Sequence, residues 1–241
     1  MTISTDARRC ENQAVYVLHT YPFKETSLVV ELFSKQYGRI AAVAKGARRP
    51  RSAMRGMLQS YQILAAVWSG KNELKTLHSL DWSAGLTMLN GEALMCGFYI
   101  NELLLRLLPR EDSHENLFQH YEAALRKLAN ETDLATTLRQ FELKLLQELG
   151  YAVPLLQDEN ENIIVSNQHY RYEAEYGACE LKSTKNGVQL QGKTLLDMAK
   201  NDYSDTQTQT QSKQLMRYLL AHYLGDKPLH TRQLLIDLQG L

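Results

Sequence analysis

The chain has 241 residues, with 27 Lys and Arg against 27 Asp and Glu, and 44% of its residues are apolar. That is the composition of an ordinary globular protein, long enough for one large domain or two or three small ones. No apolar run approaches the roughly 20 residues of a bilayer span, and the opening MTISTDARRC has no apolar core or cleavage pattern, so a cytoplasmic protein with no membrane partner is expected.

From 14 to 80 the apolar pattern is short and strand-like. AVYVLHTYPF stops at Tyr21-Pro22, TSLVVELFS (26–34) follows, and YGRIAAVAKGA (37–47) starts at a glycine turn. YQILAAVWSG (61–70) and ELKTLHSLDW (73–82) complete five strands in about seventy residues, which predicts a small closed antiparallel barrel. The length suits an OB-fold, with an SH3-like barrel as the alternative. The fold class expected is α+β: a five-stranded OB barrel over 1–82, then a mainly helical domain over 83–241.

After residue 84 the period changes. A helix is expected up to Pro109, a second over 113–129 capped by Ser113, and a third over 131–149 ending at Gly150. Gly85, Gly91 and Gly97 recur six apart and suit close helix packing. Residues 156–190 read as an irregular strand excursion with turns at Gly177 and Asn186-Gly187. Helical pattern returns at 192–200 and 206–224, with TQTQTQ (206–211) taken as helix rather than link. A last helix is expected near 227 or 231.

Charge is neutral only on average. Residues 1–80 carry 12 Lys and Arg against 5 acids, while residues 81–241 carry 15 against 22. Such asymmetry points to an anionic partner for the first part. The charge concentrates in KGARRPRSAMRG (45–56), where Lys45, Arg48, Arg49, Arg51 and Arg55 meet no acid. Arg predominates there, which suits bidentate phosphate contacts. Arg39, Arg8 and Arg9 could extend the same face. Tyr16, Tyr21, Phe23, Phe33, Tyr37, Tyr61, Trp68 and Trp82 lie in the same region, and one or two of them could stack bases if exposed. A solvated charged loop is the bland alternative.

Catalytic signals are weak. The seven histidines form no HExxH or other metal spacing, and Cys10, Cys96 and Cys179 form no CxxC pair. Gly187, Gly192, Lys193 and Thr194 match GxxxxGKT, which would make a nucleotide-dependent enzyme. The β-type residues VQLQ and the preceding turn argue against a phosphate loop. Arg139 lies beside the apolar stripe of the third helix, either as a surface residue snorkelling along it or as a binding residue. An RNA-binding OB module with a helical adaptor is a further alternative.

YVLHTYPFKETSLVVELFSKQYGRIAAVAKGARRPRS (16–52) resembles the opening of the RecO family of bacterial recombination mediators. The resemblance rests on Glu25-Thr26-Ser27, Gly38-Arg39, and Ala44–Arg48 followed by Ser52. YINELLLRLL (99–108), LRQFELKLLQELGY (138–151) and KPLHTRQLL (227–235) resemble further segments in the same order. The resemblance implies an OB-fold and a helical domain, no enzymatic bond-making, and a nucleoid-associated place in the bacterial cytoplasm. It implies binding of single- and double-stranded DNA, strand annealing, and loading of RecA with RecR onto strands coated by single-strand binding protein (SSB). It also implies an apolar pocket with a basic residue for the acidic SSB tail. By match to LRQFEL, these are Phe141 and Arg139. Many family members carry four zinc cysteines after GY-x-P-x-L, whereas GYAVPLLQDENENIIV has none, so no zinc and no other cofactor is expected.

Overall fold

The computed structural model describes residues 9–84, 88–130, 133–151, 153–181, 187–225 and 229–231. The chain divides into two compact units, Met1–Glu131 and Thr132–Leu241.

In the first unit, period-two alternation produces β1 (Arg9–Phe23), β2 (Ser27–Ser34), β3 (Gly38–Ala44), β4 (Ile63–Ser69) and β5 (Leu74–Trp82). They close into a barrel in the order β1-β2-β3-β5-β4, with β1 also paired to β4. Only β3 and β5 run parallel, and the order is the Greek-key barrel of the OB-fold. Closure gives every strand of the barrel a neighbour on both sides. Val15, Val17, Val30, Leu32, Ile40, Leu64, Trp68 and Leu80 point inward and are at most 2% exposed. Each such side chain contributes about 1.5–3 kcal/mol by leaving water. Gly38 begins β3 at φ +64, and a Cβ there would lie 1.7 Å from the Asp112 carbonyl oxygen. Only glycine fits that approach.

Between β3 and β4 lies a short helix, α1 (Ala53–Met57). Met54, Met57 and Leu58 pack against the barrel core, and Ala47 is part of that core. Two longer helices, α2 (Gly91–Leu107) and α3 (Glu115–Ala129), also belong to this unit. Their rings cover part of the barrel's outer face: Tyr16 lies 5.2 Å from Phe118 and 5.0 Å from Tyr121, centroid to centroid. The β1–β2 register slips between Val17 and His19, and a bulge of this kind frees a backbone group. Asn101 Nδ2 of α2 donates to the Leu18 carbonyl at 3.0 Å, and Asn101 Oδ1 accepts the Tyr121 hydroxyl at 2.6 Å. Burial pushes the Tyr121 hydroxyl pKa well above its ordinary value, so it stays a donor.

Two helix starts differ from expectation. The first helix begins at Gly91, because the backbone is still extended at Asn90. The second begins at Glu115 with His114 in the capping position. Ser113 does not cap it; its hydroxyl donates to the Lys35 carbonyl at 3.5 Å. At Gly97 the expected close packing is present, since a Cβ would lie 2.7 Å from Leu89 and 2.9 Å from the Tyr61 ring.

The second unit opens with α4 (Leu134–Glu148), capped by Asp133, whose carboxylate accepts the Thr136 N–H at 3.0 Å. Gly150 at φ +79 stops it. The strand excursion forms β6 (His169–Glu173), β7 (Gly177–Glu180) and β8 (Val188–Gln191) in the antiparallel order β7-β6-β8. α5 (Gly192–Ala199) and α6 (Thr206–Leu224) follow. TQTQTQ is helical because Asp205 accepts the Gln207 N–H at 2.7 Å and starts α6 at Thr206. The last expected helix falls mostly outside the described residues. Among the described residues no helix is long and apolar enough to cross a membrane.

Candidate nucleic-acid interface

The basic segment leaves the end of β3 and is fixed to its surroundings at several points. The Arg48 N–H donates to the Thr26 carbonyl at 2.9 Å, and the Gly46 N–H to the Ser27 hydroxyl at 3.4 Å, both on the β1–β2 hairpin. Successive turns at Arg49 N–H to Gly46 carbonyl and Ser52 N–H to Arg49 carbonyl, each 3.0 Å, compact the chain. Ala47 is buried to 0% exposure, so the segment is docked rather than tethered. Gly46 adopts φ +68, and the Arg49 side chain lies across it. With Ala47 and Met54 turned to the barrel core, the segment leaves Lys45, Arg48, Arg49, Arg51 and Arg55 all exposed. Arg48 spends part of its guanidinium on protein, donating to the Glu25 carbonyl at 3.3 Å.

Arg39 is in different company. It sits at the start of β3, six residues or about 20 Å of strand from Lys45. Its Nε donates to the Leu108 carbonyl at 2.9 Å and its Nη1 pairs with Glu31 at 3.4 Å. Arg110 closes on the other Glu31 oxygen. Burial lowers the Arg39 pKa, while Glu31 opposes that shift. Arg39 therefore neutralises a buried carboxylate, and the structure does not bring it to the five exposed cations. Arg8 lies outside the described residues, and Arg9 pairs with Glu11 at 2.9 Å.

The aromatic residues divide cleanly. Tyr16, Phe33, Tyr61 and Trp68 are buried, and Tyr37 packs edge-on to Trp68. Tyr21 and Trp82 are each 45% exposed, and Phe23 is half-buried beside the basic segment. The alternation of His19, Tyr21 and Phe23 along β1 is a signal that could have placed Tyr21 and Phe23 on one face.

In the second unit Arg139 Nη2 pairs with Glu142 Oε1 at 2.6 Å, and the two side chains are 14% and 0% exposed. Phe141 is 2% exposed and belongs to the core. Tyr203 was not anticipated. Its buried hydroxyl finds no hydrogen-bond partner among the described residues. Burial pushes its pKa up to about 12, and the charges of Arg139 and Glu142 both reach it.

The GxxxxGKT stretch has no phosphate-loop geometry. β8 lies in an antiparallel sheet, whereas the motif requires a parallel one. Lys193 Nζ is held by Asp197 at 2.5 Å and Asp205 at 2.8 Å. The Gly192 and Lys193 amides donate to Gln168 and Ser166 carbonyls, each at 2.8 Å, so they are spent before a phosphate arrives. Among the described residues no group of three or more His, Cys, Asp or Glu is placed to hold a metal ion.

A closed OB barrel with a docked, acid-free cationic segment, followed by further helices, places the chain among OB-fold proteins with a cationic face. The family profile described as Recombination protein O N terminal matches residues 10–86, and that described as Recombination protein O C terminal matches residues 88–233. A DNA repair protein RecO of Nitrosospira multiformis is 52% identical over 99% of this chain and 100% of its own length. The DNA repair protein RecO of Dechloromonas aromatica is 48% identical over 97% and 98%, and that of Paraburkholderia xenovorans 46% over 100% and 81%. The chain belongs to the RecO family of DNA repair proteins.

Proposed function

We propose that the protein is a recombination mediator that does no bond-making chemistry. Its barrel, 1–82, binds single- and double-stranded DNA through Lys45, Arg48, Arg49, Arg51 and Arg55. Residues 83–241 meet partners: the acidic tail of SSB, and RecR, with which the protein helps load RecA onto coated strands. The observation that carries the reading is the docked segment with five exposed cations and no acid. Two complementary strands repel through their phosphates. A fixed row of cations lowers that repulsion, and base pairing then supplies the driving force for annealing, so no catalytic residue is needed.

Single-stranded DNA binding across a salt series tests this. Wild type should bind with a steep fall of log K against log salt. Arg48→Ala/Arg49→Ala/Arg51→Ala should bind more weakly, with a slope shallower by about 2, the value for three lost phosphate contacts at about 0.7 each. Equal binding and equal slopes would remove the segment from the interface.

For the SSB tail we propose the neighbourhood of Arg139. Its guanidinium has five N–H donors, so the pair with Glu142 does not exhaust its capacity for an incoming carboxylate. Phe141 would support this site from the core rather than by contact. Arg139→Ala should weaken binding of an SSB-tail peptide at least tenfold while sparing DNA, a loss on the order of one charge-assisted contact. Unchanged peptide affinity would place the tail elsewhere.

A further inference from the structure

We propose that one unpaired nucleotide of the bound strand seats in a cleft at the hairpin end of the barrel, with its base on Phe23 and its phosphate on Lys45 and Arg49. The inference rests on the DNA-binding reading of the basic segment and adds the base-contacting half of that interface.

The cleft has a volume of about 400 Å³ and lies between the β1–β2 hairpin, the end of β3 and the start of β5. That is within the ~300–1,000 Å³ of small-molecule sites. Phe23, Val43 and Leu74 supply apolar wall, while Lys24, Lys45 and Arg49 supply positive charge. Among the described residues no carboxylate lines it; the remaining cation, Lys75, is already paired with Glu111 at 2.7 Å. An apolar wall beside uncompensated cations matches a nucleotide, whose base has an apolar face and whose linkage is an anion.

The wall is bare for a structural reason. Tyr21 and Phe23 pair with Val29 and Ser27 on the outer face of the barrel. Further back on the same face, Tyr16 and Phe33 are covered by Phe118 and Tyr121 of α3. Nothing comparable covers the hairpin end among the described residues, and Leu74 and Tyr21 are 42% and 45% exposed there. Lys24 Nζ sits 5.4 Å from the centre of the Phe23 ring. A phosphate would draw that ammonium off the ring and free its face. The Arg48 bonds to Thr26 and Glu25 hold ring and cations in one body, so the site is organised before the strand arrives.

A duplex cannot use the cleft, because its bases are already stacked and paired. Tyr21 and Phe23 are about 6.8 Å apart along the strand, twice the 3.4 Å rise of stacked bases. Neighbouring bases reach both rings only in an unstacked strand. The cleft therefore adds a preference for single strands to a phosphate contact that has none.

The test compares an oligothymidylate, an abasic strand of the same length and a duplex of the same length, each binding the full-length protein. Wild type should bind the thymidylate at least about 5-fold more tightly than the abasic strand. Phe23→Ala should lose about 5- to 100-fold on the thymidylate, the range of one base–aromatic stack. Its abasic and duplex affinities and its salt slope should stay near wild type, and Phe23→Trp should restore thymidylate binding. Equal wild-type affinity for thymidylate and abasic strands would overturn the inference and leave the phosphate reading standing. A Phe23→Ala loss shared by all three ligands would also overturn it, since the ring would then be structural. Circular and linear strands should bind alike; loss on circularisation would overturn an internal nucleotide in favour of a strand end. No binding to any of the three would overturn the proposed function itself.

Discussion

The two ends of β3 carry the same residue type in opposite states. At its start, Arg39 is held by Glu31 and the Leu108 carbonyl and its side chain is 16% exposed. Past its end, four arginines and Lys45 stand exposed on a docked segment. The difference is not in the arginines but in what the neighbouring strand presents. Glu31 on β2 holds the Arg39 end, and among the described residues no ion pair holds the cations at the other. A count of basic residues overstates an interface wherever a buried carboxylate has already claimed some of them. The second unit repeats the lesson at Lys193, held between Asp197 and Asp205.

The largest effect expected from breaking this contrast is at Glu31. Glu31→Gln leaves Arg39 half-buried with its charge unmatched, and removing one partner of a buried pair costs about 3–5 kcal/mol. The lower end applies, because the Arg110 side chain is 39% exposed and can turn to water. Urea denaturation should show that loss, with DNA affinity of the folded protein nearly unchanged. Adding Arg39→Met should recover part of the stability, since the unmatched charge is gone. A loss of DNA affinity in Arg39→Met alone, with stability intact, would break the comparison and return Arg39 to the interface.

Much of the barrel was legible because alternation is local. All five strands fall within a few residues of the sequence reading, and β3 starts at the Gly38 turn as read. The helices were legible from their period, but their starts were not. Ser113 looked like a cap, yet its hydroxyl goes to Lys35, a residue 78 positions away. The same distance hid the packing of Asn101 and Tyr121 against β1, since nothing near either residue announces the freed Leu18 carbonyl. The basic segment was plain in the sequence. Which cations were free was not, because the Glu31–Arg39 pair exists only once the β2–β3 register is set. Phe23 and Tyr21 could be separated from the other aromatics on their face only after α3 had covered Tyr16 and Phe33.

A smaller effect tests whether docking of the segment matters as well as its charge. Ala47 anchors it in the core at 0% exposure. Ala47→Gln changes no charge but puts a larger, polar side chain there. Overpacking and an unsatisfied amide together cost about 2 kcal/mol. Part of that cost is relieved if the segment lifts from the barrel. Single-stranded DNA affinity should then fall severalfold although every cation remains. Unchanged affinity would mean that the cations work equally well on a loose tether, and the contrast between the two ends of β3 would reduce to charge alone.

The smallest effect is expected at Lys193, where a motif and its geometry disagree. Hydrogen bonds to Asp197 and then Asp205 raise the Lys193 pKa above its ordinary 10.5. The hydrogen bond from Lys193, followed by that from the Gln207 amide, lowers the Asp205 pKa below 3.8. The depressed carboxylate contributes stability above pH 3.8 that is lost as pH falls through its folded value. The raised ammonium contributes stability below pH 10.5 that is lost as pH rises through its own. Lys193→Ala should therefore lower Tm by a few degrees at most between about pH 5 and 9, as exposed pairs do. The gap to wild type should close in acid and again in strong alkali. Nucleotide affinity should be absent from both proteins. Nucleotide binding that is present in wild type and lost in the variant would show that this cation is free after all, and the rule drawn from β3 would fail in the second unit.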